Sequence, residues 1–244
     1  MLYIKRCLEE KMSEFIGIGV GPGDPELLTL KAVKALQQLD ILIVPYGRLK
    51  GESEALKIVE GYLKKDIHIL PKHFPMVQDE AELSPAIETI SLEIKGYIEQ
   101  GHRVGFITIG DPMLYSTYIY LLKYLLYQVP VRTLPGIASY SAIASGLNRP
   151  LAEGNTPLFI YPCNGKIEAI EKVVLDHDSI VLMKVYKQFD AIIKMLKTHD
   201  LMPFSLIVSN YGKENQVIYH PDDLFTHEKI SYFTTIIINK GWQL

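Results

Sequence analysis

The sequence has 244 residues, 48% of them hydrophobic and 22% charged, which suits one or two packed globular domains and excludes intrinsic disorder. The formal net charge of -3 gives no general attraction for polyphosphate, so nucleic acid is not an expected partner. Only two cysteines, Cys7 and Cys163, are present, which excludes a disulfide framework or a multi-cysteine zinc site and favours a reducing cytoplasm. Apolar runs such as 41–45 fall far short of the roughly 20 residues that span a membrane, so we expect a soluble protein.

In the first half of the chain, short runs of Ile, Val and Leu alternate with longer amphipathic stretches. This pattern is typical of parallel strands covered by helices on both faces. The predicted strands are 15–20, 40–45, 67–70, 103–109 and 131–134, and the predicted helices are 28–39, 53–65, 85–100, 115–128 and 139–146. Ser53 and Ser84 are predicted N-caps, with Pro85 at the first position of its helix.

The segment 147–157, LNRPLAEGNTP, has two prolines, a glycine and no helical period, which predicts a linker. We therefore predict an N-terminal extension at 1–13, a first α/β domain at 14–147 and a second α/β domain at 148–244. Beyond the linker, strands are predicted at 158–161, 180–184, 205–210, 216–220 and 232–239, with helices at 167–175 and 188–199. The last two strands have no helix between them, which predicts an antiparallel portion.

Four alternating glycines mark the segment 17–26, GIGVGPGDPE, directly after the first predicted strand. Glycine in such a loop permits positive φ and lets a ligand approach the backbone closely. The loop does not fit the dinucleotide pattern G-x-G-x-x-G, because Pro22 stands where the third glycine would be and no acidic residue follows the second strand. A ligand-binding loop and a plain strand-to-helix turn both stay open.

A second glycine loop, IGDPMLYSTY at 109–118, follows another apolar strand and leads into a helix. Ligands of open α/β sheets bind at the carboxyl ends of parallel strands, where this loop lies. Gly110 would expose its backbone, Asp111 could accept hydrogen bonds, and Ser116 and Thr117 could donate them. Alternatively, Asp111 and Ser116 only cap the helix.

A third segment, PGIASYSAIASG at 135–146, follows the last strand of the first half. Its small residues permit close packing of a helix on the sheet, and they equally permit a ligand to lie against the backbone. Packing is the simpler interpretation of this segment alone.

Other chemistries lack their sequence patterns. The seven histidines show no metal-binding spacing, and no metal site is predicted. No P-loop or G-x-S-x-G sequence occurs, and Cys163 has no histidine near it in sequence, so we predict a structural role for it. No pair of carboxylates suggests a glycosidase.

Taken together, GVGPGDPELLTLKAVKAL, GDPMLYSTY and PGIASYSAIAS resemble the tetrapyrrole methylase family in identity, order and spacing. The resemblance extends from Phe15 to about Asn239. Two further stretches, VPYGRLKGESEALKIV at 44–59 and HFPMVQDEAEL at 73–83, are similar to the branch that methylates C-20 of precorrin-2 or cobalt-factor II in cobalamin biosynthesis.

This resemblance implies two α/β domains with mixed, mainly parallel sheets, a homodimer, and S-adenosylmethionine held in the trough between the domains. By match to the motifs of the family, the residues that bind this cofactor are Pro22, Gly110, Asp111, Leu114, Ser116, Thr117, Ala138, Ser139, Met183, Asn210, Tyr211 and Thr235. Ala138 departs from the serine or threonine that is common in the family.

The implied activity is S-adenosylmethionine-dependent methylation of the C-20 bridging carbon, and whether the ring carries cobalt is left open. Because such a ring has many carboxylate arms and the chain is slightly acidic, local basic groups are required. Arg48, Lys50 and His73 are the candidates for binding the substrate, with Lys72 and Arg149 as further possibilities in neighbouring loops.

Three alternatives stay open. The chain could be a family member that acts on another ring position, on a protein or on ribosomal RNA, but the FPM and GESEAL stretches argue against this. It could be a non-catalytic module that binds S-adenosylmethionine or a tetrapyrrole. A dehydrogenase with an aberrant nucleotide loop is disfavoured by the glycine spacing.

Overall fold

A computed structural model describes residues 12–46, 53–74, 80–220 and 230–242, with the backbone alone at 80–83. These residues form two compact units, the first containing 12–21 and Pro25–Ile137, and the second containing Pro22–Asp24 and the described residues from Ala138 onwards. In the structure, the second compact unit takes up the chain from Ala138 onwards. The domain boundary that the sequence indicates at 147/148 stays a prediction. Among the described residues, no helix has the length and apolarity needed to cross a membrane.

The first unit is built on a five-stranded sheet in which every paired strand is parallel. Its strands are β1 (Phe15–Gly19), β2 (Ile41–Tyr46), β3 (His68–His73), β4 (Val104–Thr108) and β5 (Val131–Leu134), in the order β3-β2-β4-β1-β5. Its helices are α1 (Leu30–Leu36), α2 (Glu54–Val59), α3 (Glu80–Glu99) and α4 (Tyr118–Leu125). All carboxyl ends therefore lie at one edge, which we call the carboxyl edge of the first sheet.

Side chains that alternate along these strands bury both faces of the sheet. Phe15 and Phe106 pack on one face with the apolar residues of α3 and α4. Ile16, Ile18 and Leu42 pack on the other face with α1 and α2. The predicted arrangement of parallel strands covered by helices on both faces is confirmed.

One predicted helix start is wrong. Helix α3 begins at Glu80 and contains Pro85 in its interior, whereas the Ser84-Pro85 pair had predicted a start at Pro85. The hydroxyl of Ser84 lies 3.0 Å from the Tyr124 hydroxyl. Proline removes one helical hydrogen bond, but α3 buries a row of four isoleucines at roughly 1.5–3 kcal/mol each, which outweighs that loss. Ser53 does occupy the N-cap position of α2, but its hydroxyl donates to the Pro45 carbonyl instead.

The second unit has a mixed sheet. Its strands are β6 (Leu158–Pro162), β7 (Ser179–Met183), β8 (Ser205–Ser209), β9 (Val217–Tyr219) and β10 (Thr234–Asn239), in the order β6-β7-β10-β8-β9. Strands β6 and β7 are parallel, whereas β10 is antiparallel to both β7 and β8, and β9 is antiparallel to β8. The predicted antiparallel portion is therefore confirmed.

Because of this arrangement, β6, β7 and β8 end at the same edge of the second sheet, where β10 begins. We call it the carboxyl edge of the second sheet, and the opposite edge the amino edge. Helices α6 (Ile167–Asp176) and α7 (Phe189–Thr198) cover one face of the sheet, and α5 (Ser139–Gly146) covers the other.

Candidate functional site

Three glycine-containing loops meet at the carboxyl edge of the first sheet, because they follow the adjacent strands β4, β1 and β5. The Gly110 N–H donates a 2.8 Å hydrogen bond to the Gly21 carbonyl. A Cβ at Gly19 or at Gly136 would collide with the carbonyl oxygen of Gly110. Only glycine allows these backbones to approach so closely, which explains Gly19 of the first glycine motif and adds Gly136. We call these three loops, which bring together Gly19, Gly21, Gly110 and Gly136, the glycine edge.

Asp111 ties two of these loops together. Its Oδ1 accepts a hydrogen bond of 2.8 Å from the Met113 N–H, and its Oδ2 accepts one of 3.1 Å from the Gly136 N–H. The carboxylate thus connects the loop after β4 to the loop after β5. This structural role adds to the two that the sequence suggested, and the ligand contact stays a prediction.

Gly110 is buried, but the space that a side chain would occupy beside it is free. Its φ is +72°, and a Cβ at this position would meet no heavy atom within 4 Å. Neighbouring Leu114 is half-buried, and Tyr115 has a φ of +52°. Within the first unit, the glycine edge therefore leaves free space beside the Gly110 backbone, into which a ligand atom can fit.

Ser116 and Thr117 follow the same loop at the start of α4. The buried Ser116 hydroxyl donates to the Thr108 hydroxyl at 3.0 Å and accepts from the Tyr118 N–H at 3.1 Å. Thr117 is the N-cap residue of α4, and its side chain makes no capping hydrogen bond. The interpretation of Ser116 as a capping residue of α4 agrees with this geometry. The Thr117 hydroxyl does not cap the helix.

Tyr118 explains the first glycine of the first motif. A Cβ at Gly17 would collide with the Tyr118 ring, whose hydroxyl lies 2.6 Å from that of Thr133. Burial raises the pKa of the Tyr118 phenol, so this group stays neutral at physiological pH. Gly17 therefore serves packing, and the sequence carried no signal for this contact across 101 residues, from Gly17 to Tyr118.

In the second unit, the segment Pro22–Asp24 packs on the loop after β8. A Cβ at Gly23 would lie 2.8 Å from the Tyr211 carbonyl oxygen and 2.8 Å from Cγ of Lys213. Pro22 is buried beside it in sequence. The second unit thereby brings together two predicted cofactor-binding positions, Pro22 and Tyr211.

Further predicted cofactor-binding residues lie along the carboxyl edge of the second sheet. Met183 ends β7, Asn210 follows β8, and Thr235 lies near the start of β10. The hydroxyl of Ser139, at the start of α5, lies 3.4 Å from the Thr235 hydroxyl. Ala138 is the N-cap residue of α5 and, as an alanine, provides no side-chain cap. Residues from three separate motifs thus meet at this edge.

Two residues at the carboxyl edge of the second sheet have a left-handed backbone conformation. Asn210 has a φ of +54°, and its amide group is fixed by a bond to the Asn215 carbonyl and by one from the Ser231 hydroxyl. Lys184, directly after Met183, has a φ of +57°, and burial lowers the pKa of its amine. A lysine in this conformation is unusual, and such outliers cluster at functional sites. Nothing in the sequence indicated it.

The candidate substrate-binding residues are not brought together by the described part of the chain. Arg48 and Lys50 lie outside the described residues. His73 ends β3 at the carboxyl edge of the first sheet, with its ring 5.5 Å from that of Tyr46, and Lys72 pairs with Glu93. Arg149 was placed next to the motifs by sequence alone, but it lies at the amino edge of the second sheet, where it donates to the Phe204 carbonyl at 2.6 Å.

Cys163 is buried directly after β6. Burial raises the pKa of its thiol to about 12, so the thiolate that a nucleophile needs is scarce at neutral pH. The structural role predicted for this cysteine is in keeping with its surroundings.

Comparison with known proteins gives whole-chain matches. Residues 14–222 match the model of the family described as tetrapyrrole (corrin/porphyrin) methylases. The chain is 36% identical to the cobalt-precorrin-2 C(20)-methyltransferase of Salmonella typhimurium, with 93% of this chain and 96% of the relative covered. It is 34% identical to the probable cobalt-precorrin-2 C(20)-methyltransferase of Methanocaldococcus jannaschii, with 96% and 99% covered. Identity to the precorrin-2 C(20)-methyltransferase of a Sinorhizobium species is 27%, with 95% and 97% covered.

Solved structures show the same fold at lower identity. A cobalt-precorrin-4 methyltransferase superposes with a TM-score of 0.69 at 18% identity, covering 94% of this chain and 95% of that protein. The uroporphyrin-III C-methyltransferase of Thermus thermophilus, in complex with S-adenosylhomocysteine, gives a TM-score of 0.63 at 19% identity, with 93% and 98% covered.

Proposed function

The chain belongs to the tetrapyrrole (corrin/porphyrin) methylases, and on that premise we propose that it transfers a methyl group from S-adenosylmethionine to C-20 of precorrin-2 or of its cobalt-containing form, in cobalamin biosynthesis. The observation that carries this proposal is the identity of 36% and 34% to two C(20)-methyltransferases along nearly their whole lengths. The FPM and GESEAL stretches, which resemble that branch, support the same ring position.

Of the two forms of the ring, we propose the cobalt form as the preferred substrate. The relatives named for cobalt-precorrin-2 share 36% and 34% of their residues with this chain, whereas the relative named for precorrin-2 shares 27%. The difference concerns relatives of similar coverage, so it does not arise from alignment length.

For the methyl donor, we propose the residues that match the motifs of the family. On the first unit these are Gly110, Asp111, Leu114, Ser116 and Thr117. On the second unit they are Pro22, Ala138, Ser139, Met183, Asn210, Tyr211 and Thr235. The open side of Gly110 fits a ligand that lies against backbone, because a side chain there would occupy the space that the glycine leaves free.

The reaction depends on how the protein positions the two reactants more than on reactive side chains. When bound, the donor supplies a methyl group on a positively charged sulfur that departs as a neutral thioether. The chain has to hold the acceptor carbon in line with that methyl group, and such alignment can contribute roughly 7–11 kcal/mol to lowering the barrier. Asp111 serves this end by fixing two loops of the glycine edge relative to each other.

For the carboxylate arms of the ring, we propose Arg48, Lys50 and His73. Of these, His73 lies at the same edge of the first sheet as the glycine edge. Since opposite charge and hydrogen bonding both favour basic groups beside carboxylates, these side chains would orient the ring. We also propose that the enzyme acts as a homodimer, as the family resemblance implies, and in the cytoplasm, which the presence of only two cysteines favours.

The test is methyl transfer with both forms of the ring. The purified chain is incubated with S-adenosylmethionine carrying a ¹³C-labelled methyl group and with either metal-free or cobalt-containing precorrin-2. We expect mass spectrometry to show a gain of one methyl group and NMR to place the label at C-20, with faster turnover of the cobalt form. A label on another ring carbon would assign the chain to a different branch, and donor binding without turnover of either ring would favour a non-catalytic binding module.

A further inference from the structure

Arg149 is a buried cation with unused hydrogen-bonding capacity. Only 2% of its surface is exposed. Its Nη2 donates to the Phe204 carbonyl at 2.6 Å, whereas its Nε and Nη1 have no hydrogen-bond partner among the described residues. A guanidinium is charged at every physiological pH, and burying one without a counter-charge is costly.

A cavity of about 440 Å³ adjoins this arginine. Its polar lining consists of Ser141, Ser145, Asn148 and Arg149, and the remaining three lining residues are an alanine, a proline and a leucine. All seven belong to the described part of the chain, and among them Arg149 alone is charged. The lining therefore contains one cation, of which little surface is exposed, together with hydroxyl groups and no acidic side chain.

The neighbouring polar groups at the amino edge are mostly satisfied without Arg149. The Asn239 amide donates to the Pro150 carbonyl at 2.8 Å, and the Ser205 hydroxyl donates to the Leu201 carbonyl at 2.8 Å. Ser179, which is paired with Asn239 across the sheet, has a buried hydroxyl without a partner among the described residues. Among the described residues, Arg149 therefore has a carbonyl as its side-chain partner and forms no ion pair.

The end of α5 offers a partial compensation. The Arg149 N–H donates to the Ala144 carbonyl at 2.8 Å, so the arginine follows directly on the carboxyl end of that helix. The partial negative charge of a helix end amounts to roughly half an elementary charge, and α5 has only eight residues. Burial lowers the pKa of Arg149, which reflects the same unmet cost of its charge.

From this geometry we propose that the cavity binds a small oxyanion, a carboxylate or a phosphate, through the guanidinium of Arg149 and the hydroxyls of Ser141 and Ser145. The planar guanidinium matches the oxygens of such anions and forms charge-assisted hydrogen bonds with them. The cavity lies at the amino edge of the second sheet, whereas Met183, Asn210 and Thr235 lie toward its carboxyl edge. Occupancy is therefore a property separate from methyl-donor binding.

The experiment uses inorganic phosphate and acetate as probes of the full chain. Each is titrated at constant ionic strength, with sodium chloride as the balancing salt, while thermal unfolding is recorded and phosphate is followed by ³¹P NMR line broadening. We expect a saturable rise in Tm for at least one of the two probes. A response to phosphate alone identifies a phosphate site, and a response to acetate alone identifies a carboxylate site.

Variants assign the response to the cavity. Arg149→Met should weaken binding roughly 10- to 100-fold, as expected for the loss of a hydrogen-bonded charge, and Arg149→Lys should retain part of it. Arg132→Met is the matched control, because it removes an exposed arginine that pairs with Glu14 in the first unit. Should Arg149→Met not fold, the double variant Ser141→Ala/Ser145→Ala keeps the charge and should still weaken binding several-fold.

Two outcomes would overturn the proposal. One is an equal response of wild type and the cavity variants to both probes, which would indicate general salt effects. The other is no saturable response in wild type, which would leave Arg149 as a structural clamp on the Phe204 carbonyl. Titration of S-adenosylhomocysteine into the same variants keeps this result distinct from the proposed methyl transfer, since we expect donor affinity to be unchanged in all of them.

Discussion

Strand β4 has a glycine of positive φ beyond each of its ends, and the two glycines have different surroundings. Gly101, before the strand, has a φ of +90°, and Gly110, after it, has a φ of +72°. A Cβ at either position would meet no heavy atom within 4 Å. Measured by backbone angle and free space alone, the two positions are equivalent.

Gly101 and Gly110 differ in their hydrogen bonds. The Gly101 N–H donates to the Ile98 carbonyl, and the His102 N–H donates to the Tyr97 carbonyl, so Gly101 ends α3 in the manner of many helix-terminating glycines. Gly110 instead donates to Gly21, and its carbonyl lies against Gly19 and Gly136 from two other loops. A positive φ thus marks a turn in both places, but only the convergence of three backbones marks a candidate ligand site.

The largest effect on stability is expected from Gly136→Ala. The added Cβ would collide with the Gly110 carbonyl oxygen, which is backbone and cannot move without displacing the whole loop. We expect a loss of about 3 kcal/mol in the free energy of unfolding, measured by urea denaturation. Gly96→Ala, inside α3 with no atom within 4 Å, is the control and should gain about 0.5–1 kcal/mol. A Gly136→Ala variant as stable as wild type would show that the glycine edge is not tightly packed.

Asp111→Ala is expected to have the next largest effect. It removes the acceptor for the N–H groups of Met113 and Gly136, and the expected cost is about 2 kcal/mol, read from thermal or urea unfolding. Asp111→Asn should recover part of this, because the amide oxygen can still accept one of the two bonds. If Asp111→Ala unfolded like wild type while losing affinity for S-adenosylhomocysteine, the carboxylate would act only as a ligand contact.

Ser116→Ala is expected to have a smaller effect. It removes the hydroxyl that accepts from the Tyr118 N–H, and the typical cost of losing such a bond at a helix start is about 1 kcal/mol. Thr117→Ala at the N-cap position is the matched control, because its side chain makes no capping bond, and it should stay within about 0.5 kcal/mol of wild type. The reverse ranking in chemical denaturation would mean that Thr117 caps α4.

The glycine edge could be predicted in part from the sequence. Glycine, proline and aspartate directly after apolar strands identified the loops at 17–26 and 109–118, and parallel strands place such loops at one edge. The bond between Asp111 and Gly136 could not be predicted, because it joins residues 25 positions apart and depends on the strand order. The contact of Gly17 with the Tyr118 ring depends on the same packing.

Two other features show where local patterns mislead. The Ser84-Pro85 pair has the usual form of a helix start, yet α3 begins at Glu80, since burial of its isoleucines outweighs the missing hydrogen bond. Arg149 follows a predicted binding motif in sequence, yet α5 carries the chain across the second sheet to the amino edge. In both cases tertiary packing decides what a short sequence pattern leaves open.

The most direct test of the glycine edge as the donor site is calorimetric titration of S-adenosylhomocysteine into wild type, Gly110→Ala and Gly101→Ala. Alanine at either position adopts an unfavourable φ, and both variants should lose about 1–2 kcal/mol of stability. We predict at least about 10-fold weaker binding for Gly110→Ala, equivalent to about 1.4 kcal/mol, because its methyl group occupies the open space, and wild-type affinity for Gly101→Ala. Equal affinity of all three proteins would contradict the assignment of the methyl donor to the glycine edge.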